Sequence, residues 1–303
     1  MASGADGMSA GTPTGTQARF EAPASVAATC PDGEDLAADL TRGLDRMALF
    51  DLAGKVALVA GGYGEIGRAV ASALAANGAA VAIAGHDAAR TMKVAGGLAR
   101  QAGTSASGIV LEARRPESFR AVVDETVREH GSIDLLVNCL GVQREQPLLE
   151  VTEEAFDQVY QVNLKAAMFL AQAVAARQVA AAQGGRHIHL LSLRAMLGLS
   201  GRGYSAFCCA KGGLALLVRQ HAAELAPYGI TVNGVAPGPV LTNKNRSLAA
   251  DPSWLQRAVT PIPLGRLAQP ADVAAAVLFL GSPAAGFVTG QILNVDGGRS
   301  ACQ

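Results

Sequence analysis

The segment Gly61-Gly-Tyr-Gly-Glu-Ile-Gly67 limits what this chain can fold into more than any other. It follows a short apolar run, residues 56–60. It precedes a stretch in which Ile66, Val70 and Leu74 recur on one helical face and Asn77-Gly78 supply a stop. Glycines between a strand and a helix allow a tight turn and let the backbone approach a pyrophosphate. The helix N-terminus then offers free N–H groups and a favourable dipole to the phosphates. Gly61, Tyr63, Gly64, Ile66 and Gly67 are therefore candidate cofactor-loop residues. The competing reading is a structural turn, which the strand–loop–helix context disfavours.

The pattern continues as alternation. Strands are predicted over residues 79–84, 108–112, 133–137, 188–191, 231–235 and 292–295. Helices are predicted over 117–129, 153–182, 205–225 and 272–280, with Thr152 capping the second of these. Apolar strands alternating with helices predict an α/β fold: a single Rossmann-type, doubly wound parallel sheet with helices on both faces. Residues 1–33 are rich in Gly, Ala, Ser, Thr and Pro and read as disordered, and 34–49 as a short amphipathic helix. The organisation expected is an extension over 1–46 and a dinucleotide-binding domain over 47–303.

Composition removes other classes. Of 303 residues, 50% are hydrophobic and 17% charged, with a formal net charge of +0, so no basic stripe calls for nucleic acid or a membrane surface. Apolar runs are too short to span a bilayer, and no secretory signal is visible. Five cysteines without a C-x-x-C pair argue against a disulfide framework or a zinc site, and a reducing cytoplasm is the expected compartment. His187 and His189 alternate on one strand face but lack a third ligand, so no metal is expected. Cys208 and Cys209 read as small buried hydrophobes.

The end of the second strand bears on cofactor choice. Gly85 stands where an acid would hold a ribose 2′-hydroxyl, and His86 is able to meet a 2′-phosphate, so NADP(H) is favoured over NAD(H); Asp87 is the counter-evidence. Glu112 is a candidate partner for the adenine amine.

Further segments resemble the short-chain dehydrogenase/reductase family, from about residue 50 to 299. Asp134-Leu-Leu-Val-Asn138-Cys-Leu-Gly141, Val162-Asn163-Leu, Leu191-Ser192, Ala236-Pro-Gly-Pro-Val240-Leu-Thr242 and Val295-Asp-Gly-Gly298 are similar to its motifs, in order. Arg194 to Gly198 and Gly203-Tyr-Ser-Ala resemble its gluconate 5-dehydrogenase and 3-oxoacyl-carrier-protein reductase branches. The resemblance implies that Asn138, Gly141, Lys211, Pro237, Gly238, Val240 and Thr242 contact the cofactor. It implies catalytic roles for Asn163, Ser192 and Lys211, a substrate lid around Trp254, which reads equally as a packed loop anchor, and a homotetramer built on the long helices, with Ala166, Ala173 and Ala180 suited to close packing there or in the monomer core.

The chain departs from the family at Ala60, Glu65, Cys139-Leu140 and, above all, Phe207. Phe207 stands where the family's proton-donating tyrosine is expected, four residues before Lys211, and a phenyl ring has no hydroxyl. Tyr204, one helical turn earlier, is an alternative donor if the helix already begins there. The activity expected is an NAD(P)(H)-dependent oxidoreductase of a small hydroxy or keto compound with an altered proton donor. The alternatives are an NADP(H)-binding protein without redox turnover, acting as sensor or partner subunit, and a non-redox enzyme using the same pocket.

Overall fold

The computed structural model describes residues 46–302. Most of the predicted helix at 34–49 and all of the predicted disordered stretch lie outside them; residues Arg46–Phe50 form one helical turn. The sheet has seven parallel strands: β1 (Val56–Ala60), β2 (Ala80–Gly85), β3 (Ala106–Val110), β4 (Leu135–Asn138), β5 (Gly185–Leu190), β6 (Ile230–Pro237) and β7 (Ile292–Val295). Their spatial order is β3-β2-β1-β4-β5-β6-β7, so the winding reverses between β1 and β4. All five residues of β1 are buried, as a strand covered on both faces requires, and this is why it reads as an unbroken apolar run.

Helix α1 (Glu65–Ala76) and α2 (Ala88–Ala102) cover one face, and α3 (Phe119–His130) the other. That second face also carries α5 (Ala166–Ala180), which α4 (Glu153–Tyr160) leads into, and α6 (Ser205–Leu225). After β6 come α7 (Asn243–Ala249) and α8 (Pro252–Val259), then α9 (Pro270–Gly281), which returns to the face of α1. The core divides by face: Val70, Leu74, Val81, Ile83, Val273 and Val277 on one side, and Phe119, Leu136, Leu170 and Val174 among those on the other.

Three differences from the sequence reading bear on the site. First, helix α2 was not expected. Its start is set by Asp87, whose carboxylate accepts from Arg90 N at 3.0 Å, and its end by Gly103 in the left-handed region (φ 68). Second, the helix predicted over 153–182 is broken by a π turn at Gln161–Lys165, capped at its start by Thr152 as predicted. Third, strands β2, β3, β4 and β5 are offset by one to three residues from the predicted ranges, as element ends usually are. Ala166 is fully buried in the core rather than on an outer face, and Cys209 is exposed rather than buried, with Cys208 half-buried.

Candidate functional site

A cleft of about 1340 Å³ opens at the carboxyl ends of β1 and β4, where the winding reverses, the usual ligand position in open parallel sheets. Of the residues expected at a cofactor, Gly61, Tyr63, Gly64, His86, Glu112 and Gly141 line it. Cationic Arg68, Arg90, Lys93, Arg114, Arg144 and Lys244 line it too, against the acids Glu65 and Glu112. A cleft with that balance suits a multiply anionic ligand.

The loop after β1 is held by backbone contact. A Cβ on Gly67 would lie 2.4 Å from Gly61 O and 2.8 Å from Gly62 Cα, so the first turn of α1 packs directly on the loop. Ile66 points into the core and Gly67 is buried, so these two brace the loop rather than line the cleft. No side chain caps the N-terminus of α1, which leaves its first N–H groups for an anion. Glu65 does not face that anion position unpaired. Its carboxylate accepts from Asn243 N at the start of α7 and lies 3.7 Å from Arg246 Nη2, which ties the loop to the segment after β6.

At the far end of the cleft, Tyr63 is the organising residue, and sequence reasoning gave it no such role. Its hydroxyl is 2.7 Å from His86 Nδ1, its ring is edge-on to the imidazole at 5.5 Å, and Arg90 Cζ lies 4.6 Å above it. Burial raises the Tyr63 pKa, with Arg90 acting the other way. Asp87, the counter-evidence for NADP(H), is occupied in capping α2. Glu112 lies two residues beyond β3, where its carboxylate accepts from Arg114 N at 3.2 Å. The signal for this end was present as Asp87-Ala-Ala-Arg90, a capping residue followed by the cation it positions.

The chemical end lies beyond β4. Asn138 is buried; its Oδ1 accepts from Leu140 N at 3.1 Å and its Nδ2 lies 3.4 Å from His189 Nδ1, so it shapes the turn that presents Gly141. Asn163, in the π turn, donates from Nδ2 to Val142 O at 2.8 Å and to Val159 O at 2.9 Å. Its Oδ1 is buried without a partner. Lys211, on α6, is 3% exposed and donates from Nζ to Leu190 O at 2.7 Å. Burial holds its ammonium down at about 8. Nζ stands 5.7 Å from the centre of the Phe207 ring. Ser192, half-buried after β5, accepts at Oγ from Arg194 N at 3.2 Å, which fixes its side chain and leaves its hydrogen to donate.

Tyr204 is not within α6. It precedes the helix, its carbonyl accepting from Cys208 N at 2.8 Å, and its ring meets Phe207 edge-on at 6.2 Å. Arg202 Cζ lies 5.2 Å over that ring and forms a two-pronged pair with Glu145, whose carboxyl is held low by Arg202. Pro237, Gly238, Val240 and Thr242 run beside the cleft without lining it, whereas Asn243 and Lys244, next in the chain, do. Val240 forms a parallel bridge with Ala268, and Thr242 N donates to Asn245 Oδ1 at 2.8 Å. Trp254 is half-buried in α8. His187 and His189 are fully buried, and among the described residues no group of three or more His, Cys, Asp or Glu side chains is placed to hold a metal.

The fold and the cleft define an α/β protein with a dinucleotide-type cleft at the topological switch point. Comparison with known proteins gives the family. The model of the enoyl-(acyl carrier protein) reductase family matches residues 62–300. The 3-oxoacyl-[acyl-carrier-protein] reductase of Escherichia coli is 35% identical over 248 residues, covering 81% of this chain and 97% of that protein. The short-chain reductase protein NovJ of Streptomyces niveus is 36% identical over 249 residues, 80% of this chain and 93% of the relative. Among solved structures, a gluconate 5-dehydrogenase from Burkholderia cenocepacia in complex with NADP and tartrate superposes with a TM-score of 0.80 at 33% identity, covering 85% of this chain and 99% of its own. The chain belongs to the short-chain dehydrogenase/reductase family, whose oxidoreductases use nicotinamide dinucleotides.

Proposed function

We propose that the protein is an NADP(H)-dependent oxidoreductase that acts on a small hydroxy or keto compound and uses a proton donor other than the residue at Phe207. The observation that carries this is the retained polar set: Asn163 and the buried Lys211 flank Gly141 in the wall of a cleft lined by cations, Lys211 Nζ stands 5.7 Å from the centre of the Phe207 ring, and Ser192 keeps its hydroxyl at the end of β5. A buried ammonium and a buried amide oxygen without a partner are costly to keep where they have no task.

The residues present fit a dinucleotide. The uncapped N-terminus of α1 and the Gly61–Gly67 loop would hold the pyrophosphate, and Tyr63, His86 and Arg90 the 2′-phosphate. Leu140 and Gly141 would lie along the ribose and nicotinamide, with Lys211 behind Gly141. The bound dinucleotide would supply or accept a hydride. The Ser192 hydroxyl would donate to the substrate oxygen as charge develops there. The named relatives act on, or are solved with, keto-acyl, sugar-acid and NADP ligands, which supports the substrate and cofactor classes. The same reading expects a cytoplasmic homotetramer. Met168, Phe169 and Leu216 are exposed on the two long helices, and no described helix is long and apolar enough to cross a membrane.

Phe207 itself favours one second reading, a nucleotide-binding protein that does not turn over. The two separate in one experiment: NADPH consumption with a panel of small ketones and keto acids, run beside Phe207→Tyr. Turnover by the protein as it stands supports the oxidoreductase. Tight NADPH binding with turnover only after Phe207→Tyr supports the binding protein, and failure to bind nucleotide removes both.

A further inference from the structure

The loop after β4 is fastened to two neighbours by successive residues. Arg144 Nε donates to Gln158 Oε1 at 2.8 Å, and Gln146 Oε1 accepts from Thr152 N at 3.1 Å, so both side chains tie the loop to α4 and its cap. Glu145, between them, is taken instead by Arg202 in the segment before α6, through a two-pronged pair from Nε and Nη2. The two backbones meet beside that pair. Gln146 N donates to Gly203 O at 3.0 Å, and a Cβ on Gly203 would lie 2.1 Å from Gln146 C, so the approach requires glycine. Tyr204 follows at this junction. Arg202 Cζ lies 5.2 Å over its ring, and the ring meets Phe207 edge-on at 6.2 Å. Phe207 in turn packs in a cluster with Val142, Val159 and Ala210, which returns to the start of the same loop.

We infer that Glu145 and Arg202 latch the loop after β4 to the segment before α6, and that the latch makes Tyr204 a substrate-positioning residue, its ring fixed edge-on to Phe207 as a wall on which the apolar substituent of an uncharged ketone rests. This rests on the oxidoreductase reading, in which Ser192 meets the substrate oxygen, and it adds what receives the rest of the substrate. With Arg202 taken by Glu145, the wall presents ring surface and no free carboxylate or unpaired guanidinium of its own. The Glu145 carboxyl is held low first by Arg202 and also by the Tyr204 hydroxyl, which puts that hydroxyl at the pair. Tyr204 is also among the groups that act on Arg194, two residues after Ser192, so the wall and the serine turn are neighbours.

An exposed ion pair alone would hold two loops weakly, and these side chains are 51% and 36% exposed. The latch gains its strength from coincidence: a two-pronged pair, a guanidinium stacked on a ring, a backbone hydrogen bond and a glycine-only approach fall at one spot. Arginine suits position 202 because its planar fork serves the carboxylate while its face covers the ring, which a lysine cannot do. Glu145, Arg202 and Tyr204 are not among the residues lining the dinucleotide cleft, so the latch bears on substrate rather than on nucleotide.

The test has two readouts. The first needs no turnover. Amide exchange at Gln146, whose N–H is taken by Gly203 O, is followed by NMR with NADP bound. Arg202→Gln is expected to speed it by about tenfold or more, and the swap Glu145→Arg/Arg202→Glu to restore most of the protection. Exchange in Arg202→Gln equal to that of the parent protein overturns the latch. The second readout is kcat and KM for two methyl ketones, one with a small second substituent and one with a phenyl group. An opened junction that leaves the competent arrangement about a tenth populated raises KM about tenfold. That rise is expected for the phenyl ketone in Arg202→Gln, with kcat, NADPH affinity and the KM of the small ketone all within about threefold, and with recovery in the swap. Equal changes for both ketones would show a merely structural role and overturn the positioning of substrate. Turnover confined to keto acids overturns it too and leaves the oxidoreductase reading standing. Absence of turnover with NADPH bound overturns that reading and the role of Tyr204 with it.

Discussion

The ring of Tyr63 lies against Gly85 with no room for a side chain between them: a Cβ on Gly85 would stand 2.3 Å from Tyr63 Cε1 and 2.5 Å from Cδ1. This contact explains why the acid that would select for a ribose 2′-hydroxyl is missing from the end of β2. The space is filled by an aromatic ring that also reaches His86 and lies under Arg90. Gly85→Ala is expected to destabilise the fold by about 1–3 kcal/mol, the usual cost of overpacking. In Tyr63→Ala/Gly85→Ala the second change should cost much less than it does alone, because the clash is gone. Urea unfolding of the four proteins measures the coupling, and strict additivity would show that the ring swings aside freely.

Asn163 ties three pieces of chain together. Its amide nitrogen serves Val142 O in the loop after β4 and Val159 O in α4, across the π turn in which it sits. Asn163→Ala leaves both carbonyls without that donor, and the expected loss is about 1–3 kcal/mol in unfolding free energy. The same bond to Val142 O braces the loop that carries Gly141. A stability loss below a few tenths of a kcal/mol in chemical denaturation would mean that the loop carbonyl finds water instead.

The buried histidines of β5 predict acid sensitivity. His187 is fully buried and is held down at about 3, against an ordinary value of 6.5, mainly by burial and also by the neighbouring His221. Its Nε2 donates to Gln178 Oε1 at 2.9 Å, which fixes the neutral tautomer. A histidine with a depressed folded pKa binds more protons unfolded than folded between those two values. Stability therefore falls as pH drops from 6.5 toward about 3 and is level above 6.5. The slope contributed is at most about 1.4 kcal/mol per pH unit for one such group. His187→Gln should flatten the curve of unfolding free energy against pH in that window while leaving the region above pH 7 shifted but parallel. An unchanged slope would place the acid sensitivity in other groups, His189 and His221 first.

How much of this was legible in the residues depended on whether the signal was local. The βα alternation, the parallel sheet and the loop at Gly61–Gly67 follow from periodicity and glycine placement, and α6 and β7 fall where the apolar patterns put them. Helix α2 was missed because its apolar positions are few (Thr91, Ala95 and Leu98 are the buried ones), and its start is announced only by the capping Asp87. That same residue was first weighed as a cofactor ligand. The π turn at Gln161–Lys165 was missed because nothing in a helical period distinguishes it; only the tertiary bond from Asn163 to Val142 O does. Tyr63 was placed in the loop but given no partner. Its meeting with Gly85, His86 and Arg90 joins the β1 loop to the end of β2 and the start of α2, which spacing along one chain segment does not report. The position of Pro237–Thr242 beside the cleft rather than in its wall is a matter of packing against Ala268 and Asp296.

Cofactor preference gives the most direct check on the Tyr63 end. Arg90 Cζ lies 4.6 Å over the Tyr63 ring in the wall of the cleft, and Arg90 has no carboxylate among the described ion pairs. A 2′-phosphate would supply that missing anion, and hydrogen bonds to charged groups are worth about 1.5–3 kcal/mol. Arg90→Gln is expected to weaken NADPH binding by about 10–100-fold, by the relation of 1.4 kcal/mol to each tenfold, and to leave NADH binding nearly unchanged. Tyr63→Phe keeps the platform under Arg90 but removes the hydroxyl that holds His86, so a smaller loss confined to NADPH is expected. Fluorescence titration with both nucleotides measures each ratio. Equal losses for NADPH and NADH would assign Arg90 to the adenosine or pyrophosphate instead, and the origin of any NADP(H) preference would then have to be sought at Arg68, Lys93 or Arg114, which also line the cleft.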